Sequence, residues 1–304
     1  MSDLTIIIPT RNEEIHIERV VKRALSVTDQ VFVVDSDSTD RTKEIALQEG
    51  VKVYNYVWTS ESNFSRKLNW AMLNLPIVTD WVMRLDADEI IEGDWKKDLE
   101  KLSSIPQKVT GVKIYQWSFF LDNRIRHGDT IPRPLTRIIR KGILYEDRWL
   151  DEHPNLEGGD TIQLDLFIAD RPATTFDYWI EKHNKYSIKE AIMEIDNEIG
   201  LSVSEKQPKG SFDQQAQRIK RQKKLYGKMP HYWRCFFYFI YRYVIKLEFL
   251  DGKVGFLECF YHAFWYRFVI DTKIDEIYRI CGKDRVKILE YIENTYGIKY
   301  DMRD

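Results

Sequence analysis

Over the first ninety positions, apolar residues come in short unbroken runs. Leu4-Thr-Ile-Ile-Ile-Pro9, Gln30-Val-Phe-Val-Val-Asp35, Val51 to Val57 and Trp81 to Leu85 each read as a strand buried on both faces. Between them the apolar spacing turns helical. Ile15, Ile17, Val20, Val21, Ala24 and Leu25 mark a helix over 13–27, with Asn12 or Thr10 as its cap. Asp40 to Gln48 reads as a second helix closed by Gly50, and Phe64 to Leu75 as a third ended by Pro76. This β-α-β-α-β-α-β order predicts a doubly wound α/β sheet. After Gly111 the pattern changes. Residues 112–120 and 135–139 predict strands of a mixed sheet, 151–159 a polar loop, and 176–199 a long helix. A polar linker follows over 202–211, with Pro208 and Gly210, and the rest reads as helical. The expected division is an α/β domain over 1–200 and a helical extension over 201–304.

Ligands of doubly wound sheets bind at the carboxyl ends of the strands. Here those ends read Pro9-Thr10-Arg11-Asn12, Asp35-Ser36-Asp37 and Asp86-Ala87-Asp88. If the last of these is extended, Asp86 and Asp88 face the same way and repel unless a cation lies between them. Hard oxygen donors suit magnesium or manganese, which commonly join a protein carboxylate to a substrate phosphate. The chemistry this suggests is metal-assisted departure of a nucleoside diphosphate. The plainer alternative is a solvated acidic turn opening a helix over Glu89 to Trp95. Arg84 could pair with one of these carboxylates or touch the diphosphate. The chain has no G-x-x-x-x-G-K-[ST] loop, no G-x-G-x-x-G after its first strand and no G-x-S-x-G elbow. That argues against a P-loop kinase, a nicotinamide-dependent dehydrogenase and a serine hydrolase of that type.

Composition narrows the class further. The 304 residues are 43% hydrophobic and 31% charged, which suits a folded globular chain. The net charge of -2 gives no nucleic-acid signal. Cys235, Cys259 and Cys281 lie far apart, so a disulfide scaffold or zinc ribbon is not expected and a reducing cytosol is. A start of Met-Ser-Asp followed by a strand does not read as a signal peptide. No apolar run is long enough to suggest a simple transmembrane helix.

Four blocks resemble glycosyltransferase family 2. They are Ile6-Ile-Ile-Pro-Thr-Arg-Asn-Glu13, Val34-Asp-Ser-Asp-Ser-Thr-Asp-Arg-Thr42, Asn63-Phe-Ser-Arg-Lys-Leu-Asn-Trp-Ala71 and Trp81-Val-Met-Arg-Leu-Asp-Ala-Asp-Glu89. A looser resemblance runs through 137–142, 151–154 and 179–186. The segments Phe249 to Phe256 and Phe264 to Phe268 resemble bacterial enzymes that build lipopolysaccharide core, capsule or exopolysaccharide. The resemblance implies a GT-A fold and inverting sugar transfer from a nucleoside-diphosphate sugar with a divalent metal, Mn2+ or Mg2+. It implies that Pro9, Thr10, Arg11, Glu13 and Asp35 hold the nucleoside, and Asp37 at the same strand end is a further candidate for nucleotide-sugar binding. Arg66, Lys67 and Asn69 would position the nucleotide or diphosphate, with Arg84 and Ala87 beside it. Asp86 would contact ribose or metal, and Asp88 would ligate the metal. Two positions depart from the family, which usually has glycine at Asp37 and before Phe249, where this chain has Glu248.

An inverting transfer needs one carboxylate to deprotonate the acceptor hydroxyl. Asp151 and Glu152 share that candidacy, His153 is a possible third metal ligand, and Asp170 is a weaker candidate base. Arg133, Arg137 and Arg140 could face a phosphorylated acceptor, and Trp117 or Trp149 could stack on a sugar. His183 reads as structural.

From Gln214 to Leu247 the chain carries nine Lys/Arg and no Asp/Glu, and aromatics crowd the window from Tyr232 to Phe268. A basic face beside Trp, Tyr and Phe is the composition of an interfacial helix. Residues 214–268 therefore predict contact with an anionic membrane surface, the alternative being a packed helical subdomain or a homodimer contact. Together these expectations describe a UDP-sugar-dependent transferase on the cytoplasmic face of a bacterial inner membrane. Its acceptor would be a lipid-linked or lipopolysaccharide-core saccharide. A nucleotidyltransferase making nucleotide sugars and a non-catalytic membrane-bound scaffold are the other classes.

Overall fold

The computed structural model describes residues 3–59, 62–128, 131–146, 153–156, 158–201, 226–227 and 229–298. They fall into two compact units, one of residues 1–126 with 130–174, the other of 127–129 with 175–304.

The first unit is built on a mixed sheet. Its opening strands are β1 (Leu4–Thr10), β2 (Val31–Asp35), β3 (Lys52–Asn55) and β4 (Trp81–Arg84), paired in parallel in the order β3-β2-β1-β4. Helix α1 (Ile17–Leu25) and helix α2 (Thr42–Gln48) separate the first three strands, and α3 (Phe64–Asn74) leads to the fourth. The unbroken apolar runs have a direct cause. In β1, Leu4, Ile6 and Ile8 pack with Ile17, Val20 and Val21 of α1, while Ile7 packs with Leu68 and Ala71 of α3. β2 and β4 divide in the same way, Val33 and Met83 to one face and Phe32 and Val82 to the other. A strand covered on both faces has no solvent side on which to carry polar residues. Each buried branched side chain contributes about 1.5–3 kcal/mol.

Beyond β4 the sheet reverses. β5 (Glu89–Glu92) follows at once, then α4 (Lys96–Leu99), β6 (Val109–Phe120), β7 (Asn123–Arg124), β8 (Arg133–Arg140) and β9 (Asp160–Asp170). β8 runs antiparallel to β4 and β6, β9 parallel to β6, and β5 antiparallel to β9 at the far edge. Two sequence expectations change here. Glu89 opens a strand, not the helix of the alternative reading, and Asp160–Asp170 is an eleven-residue strand in addition to those expected over 112–120 and 135–139. The helix expected over 13–27 spans only 17–25, with His16 at its cap position and no side-chain cap bond. Thr10 and Asn12 do not cap it because their side chains are engaged elsewhere. Thr10 Oγ1 donates to Asp35, and Asn12 Oδ1 accepts from Thr39 N at 2.9 Å.

The second unit is helical. It holds α5 (Phe176–Ile199), α6 (Trp233–Ile240) with a π turn over Tyr241–Ile245, and α7 (Gly252–Cys259) with a π turn over Phe260–Trp265. α8 (Tyr266–Cys281) and α9 (Arg285–Tyr296) complete it. Thr175 caps α5 through its side chain, and Gly200 ends it in the left-handed conformation. All three cysteines are buried here, and burial raises each thiol above its ordinary pKa.

His183 lies in this unit. Its ring stacks on Trp179 at 3.6 Å, its Nδ1 lies 2.8 Å from the Trp179 carbonyl, and His262 packs edge-on. Burial, reinforced by His262, pushes its pKa from 6.5 down to about 4. The folded state thus binds fewer protons than the unfolded chain between those values. The associated stability is present above pH 6.5 and is lost as pH falls toward 4. Replacing His183 by Gln should flatten that loss by about 1–2 kcal/mol, allowing for the partial exposure of the ring. Thermal midpoints of the two proteins between pH 7 and pH 4 would test this, and parallel curves would remove His183 as the cause.

Candidate active site

The carboxyl ends of β1 and β2 border a recess of about 200 Å³, lined by Pro9, Thr10, Arg11, Glu13, Ser36, Trp58, Phe64 and Lys67. Its floor is a closed hydrogen-bond set. Asp35 is fully buried and accepts from Thr10 Oγ1 (3.0 Å), Ser38 N (2.9 Å) and the Ser38 hydroxyl. Ser38 Oγ in turn accepts from Asn12 N at 2.8 Å, tying the two strand ends together. Glu13 N donates to Thr42 Oγ1 at 2.7 Å, and the Glu13 carboxylate lies 2.6 Å from His16 Nδ1. Arg11 is exposed at the rim.

Lys67 projects from α3, whose first turn is capped by Asn63 accepting from Arg66 N. The Lys67 ammonium is almost wholly buried and donates to the Thr10 carbonyl at 2.8 Å. Burial lowers its pKa from 10.5 to about 8, opposed by the charges of Asp35, Asp86 and Glu13. An amine whose hydration has been replaced by a few fixed partners is well prepared to meet an anionic group. Asn69, two residues on, uses both ends of its amide on Tyr145, donating to the carbonyl at 2.9 Å and accepting from the N–H at 2.7 Å.

Asp37 stands at φ +53, in the left-handed region. The glycine-type backbone is therefore kept at a cost of about 1 kcal/mol. In return its carboxylate accepts from Trp58 N and Asn55 Nδ2, both at 3.2 Å. Asp37 thus positions the loop that carries Trp58 to the recess. Glu248 is accommodated differently. It is fully buried in the helical unit and accepts from Arg242 at 2.8 Å.

The acidic segment at the end of β4 is a turn, which corrects the extended geometry expected for it. Leu85 N donates to Ile7 O, Glu89 N to Asp86 O, and Arg171 N to Asp88 O, each at 3.0 Å. Asp86 is clamped by Arg84, whose Nε and terminal nitrogen donate to its two oxygens at 2.8 Å each, and Arg137 lies 3.4 Å away. Of the two roles open to Arg84, the structure displays the pairing with a carboxylate, and its guanidinium also covers the Phe64 ring at 4.4 Å. Ala87 is buried in the core between the two aspartates. Asp88 is half-buried.

Arg133 and Arg137 join the same network from β8. Arg133 donates to Gln116 Oε1 at 2.6 Å, Gln116 Nε2 donates to Glu89 at 2.6 Å, and Arg137 bridges Glu89 and Asp86. Arg140 points elsewhere, over the Trp81 ring at 4.2 Å. Trp117 stacks on Phe167 with ring centres 6.2 Å apart and carries Arg124 at 5.0 Å. Asp170 is aligned with Glu89 across β5 and β9, so the sheet brings it to the acidic turn. Asp151, Glu152 and Trp149 lie outside the described residues.

Magnesium and manganese need only one or two protein carboxylates when phosphate and water complete the shell. Asp86 and Asp88 match that donor chemistry. Among the described residues no three His, Cys, Asp or Glu side chains converge on a metal position. His153, the candidate third ligand, directly follows 147–152, which lie outside the described residues. It is exposed, and its carbonyl takes Glu146 N at 2.9 Å beside the Tyr145–Pro154 bridge.

Glu89, Gln116, Trp58 and Phe64 are the site residues that the sequence did not single out. The signal for Glu89 was its place directly after Asp88; for Trp58 and Phe64 it was aromatic character just before and within the 63–71 block.

Residues 5–155 match Glycosyl transferase family 2. An uncharacterized glycosyltransferase of Rickettsia bellii (strain RML369-C) is 25% identical over 285 residues, 92% of this chain and 88% of its own. The 4,4'-diaponeurosporenoate glycosyltransferase of Staphylococcus haemolyticus (strain JCSC1435) is 40% identical over 62 residues, 20% of this chain and 16% of its own. Among solved structures, glucosyl-3-phosphoglycerate synthase from Mycobacterium tuberculosis with Mg2+ and uridine diphosphate is 22% identical at a TM-score of 0.30. That match covers 37% of this chain and 43% of the solved one, less than half its length. The chain belongs to glycosyltransferase family 2, with a GT-A α/β sheet followed by a helical region.

Proposed function

We propose that this glycosyltransferase moves a sugar, with inversion, from a UDP-sugar to a lipid-linked or lipopolysaccharide-core saccharide in bacterial surface polysaccharide synthesis. The observation that carries the reading is the recess at the ends of β1 and β2, with its buried Lys67 and two aromatic walls, in a sheet that also ends in the Asp86–Asp88 turn. Trp58 and Phe64 offer faces to a nucleobase. Lys67, Arg66 and Arg11 supply positive charge to a diphosphate.

Asp86 and Asp88 would hold a divalent cation, which when bound neutralises the departing diphosphate. The remaining chemistry belongs to the side chains. Asp151 or Glu152 accepts the proton of the acceptor hydroxyl as its oxygen attacks the anomeric carbon, and the bond from that carbon to the diphosphate oxygen breaks. Asp170, held in register with Glu89, is a second carboxylate available to the same turn. We assign the transfer chemistry to the α/β unit. The helical unit would hold the enzyme as a peripheral protein on the cytoplasmic face of the inner membrane.

Calorimetric titration with UDP, GDP and CDP, each with and without manganese, tests the reading. Micromolar binding of one nucleotide that chelator removes is the expected result. Binding of none of them would shift the weight to a non-catalytic scaffold.

A further inference from the structure

The helical unit contains an inverted helix. In α6 and its π turn, Trp233, Phe236, Phe237, Ile240 and Val244 follow i, i+3, i+4, i+7 and i+11 spacing, which is one helical face. Packed on an ordinary core, that face would be the buried one. Here it is the exposed one, Trp233 at 62% and Phe237 at 51% of full accessibility. The charged residues of the same segment turn inward. Arg234 is 1% exposed and pairs with Asp271 and with Glu194 at 2.6 Å. Arg242 is also buried and donates to Glu248 at 2.8 Å and Glu258 at 2.7 Å. The connection to α7 adds Leu247, Phe249 and Leu250, again exposed.

Large apolar groups grouped on a surface mark an interface, and the surrounding charge says which kind. In sequence the stretch leading to this face, Gln214 to Lys228, carries six Lys/Arg and no acidic residue, and beside the face itself Lys246 is half-buried and Lys253 exposed. A second copy would bring cations against cations. An anionic lipid surface brings the opposite charge, and Trp and Phe suit the boundary between headgroup and acyl chain. Depth is limited by length. α6 with its π turn reaches about 20 Å at 1.5 Å per residue, against about 30 Å of bilayer hydrocarbon. Among the described residues no helix is long and apolar enough to cross a membrane.

We propose that the outer face of segment 233–250 inserts into one leaflet of an anionic phospholipid bilayer, with Trp233, Phe236 and Phe237 at its centre. The Arg234 and Arg242 networks keep those two guanidinium charges paired beneath that face. This inference rests on the peripheral-membrane part of the proposed function and is independent of the donor site.

The test is co-sedimentation of the full chain with vesicles of phosphatidylethanolamine and phosphatidylglycerol. The wild-type chain should pellet, and the triple variant Trp233→Ser, Phe236→Ser, Phe237→Ser should partition about a hundredfold less. Its thermal midpoint and nucleotide binding should be unchanged, which separates lost insertion from lost folding. Brominated acyl chains should quench the wild-type fluorescence and quench Trp233→Phe less while that variant still pellets. A triple variant that pellets like the wild type overturns this face while leaving membrane attachment standing. Release by charge reversal at Arg221, Lys223 and Lys224 would then place attachment on the basic run. Wild-type chain that stays in the supernatant overturns both membrane readings, and a dimer that the triple variant dissociates would identify a second copy as the cover.

Discussion

Asp88→Asn is expected to lower sugar transfer by about 10²–10³-fold while lowering the thermal midpoint less than Asp86→Asn does. The turn that carries Asp88 is fixed through main-chain bonds, Leu85 N to Ile7 O, Glu89 N to Asp86 O and Arg171 N to Asp88 O. Asparagine keeps the shape of the side chain and all three of those bonds. What it removes is one negative charge and a strong oxygen donor, and nucleotide binding should lose its dependence on manganese. Asp86→Asn is the informative contrast. Asp86 accepts both donors of Arg84 and lies against Arg137, so its neutralisation leaves two part-buried guanidiniums poorly matched. That variant should lose stability together with activity. Turnover of a UDP-sugar beside thermal unfolding separates the two cases. A fully active Asp88→Asn enzyme would sink the assignment of Asp88.

The contrast also explains which parts of the site were legible beforehand. The parallel strands announced themselves because each is covered on both faces, as Leu4, Ile6 and Ile8 on one side and Ile7 on the other illustrate. The strand ends followed, and with them Pro9 to Glu13, Asp35 and the Asp86–Asp88 segment. The reversed half was harder. β5 is only Glu-Ile-Ile-Glu, too short to display a period. β9 does carry one, with Ile162, Leu164, Leu166 and Ile168 at alternate positions.

Roles within the site depend on partners distant in sequence, and no local pattern encodes them. Glu89 is defined by Gln116 and Arg137, 27 and 48 residues away. Burial and the neighbouring Asp86 and Asp170 charges raise its pKa, and Arg137 pulls it back. The two aspartates were expected to share a face by strand alternation, but the chain turns between them, so that argument did not apply. At Asp37 the expected conflict resolved in the other direction. The backbone kept the left-handed conformation, and the added carboxylate acquired Trp58 N and Asn55 as partners.

In the helical unit, Arg234→Met should destabilise the fold by about 3–5 kcal/mol. Asp271 is fully buried on α8 and receives Arg234 Nε at 2.8 Å, a second guanidinium nitrogen, Tyr232 N at 2.7 Å and the Cys235 thiol at 3.3 Å. Methionine fills much of the arginine volume but leaves the Asp271 charge with only a main-chain amide and a weak thiol donor. It also strips Glu194 on α5 of its 2.6 Å partner. Removing one member of a buried pair costs far more than removing both. Arg234→Met combined with Asp271→Leu should therefore recover most of the loss. Urea unfolding followed by tryptophan fluorescence would measure both. A single variant as stable as the wild type, or a double variant no better than the single, would show that the pair does not hold α6 to α8. The expected recovery also bears on the exposed face of α6. If Arg234 is needed only to satisfy Asp271, the double variant should keep the apolar stripe of Trp233, Phe236 and Phe237 in place and bind vesicles like the wild type.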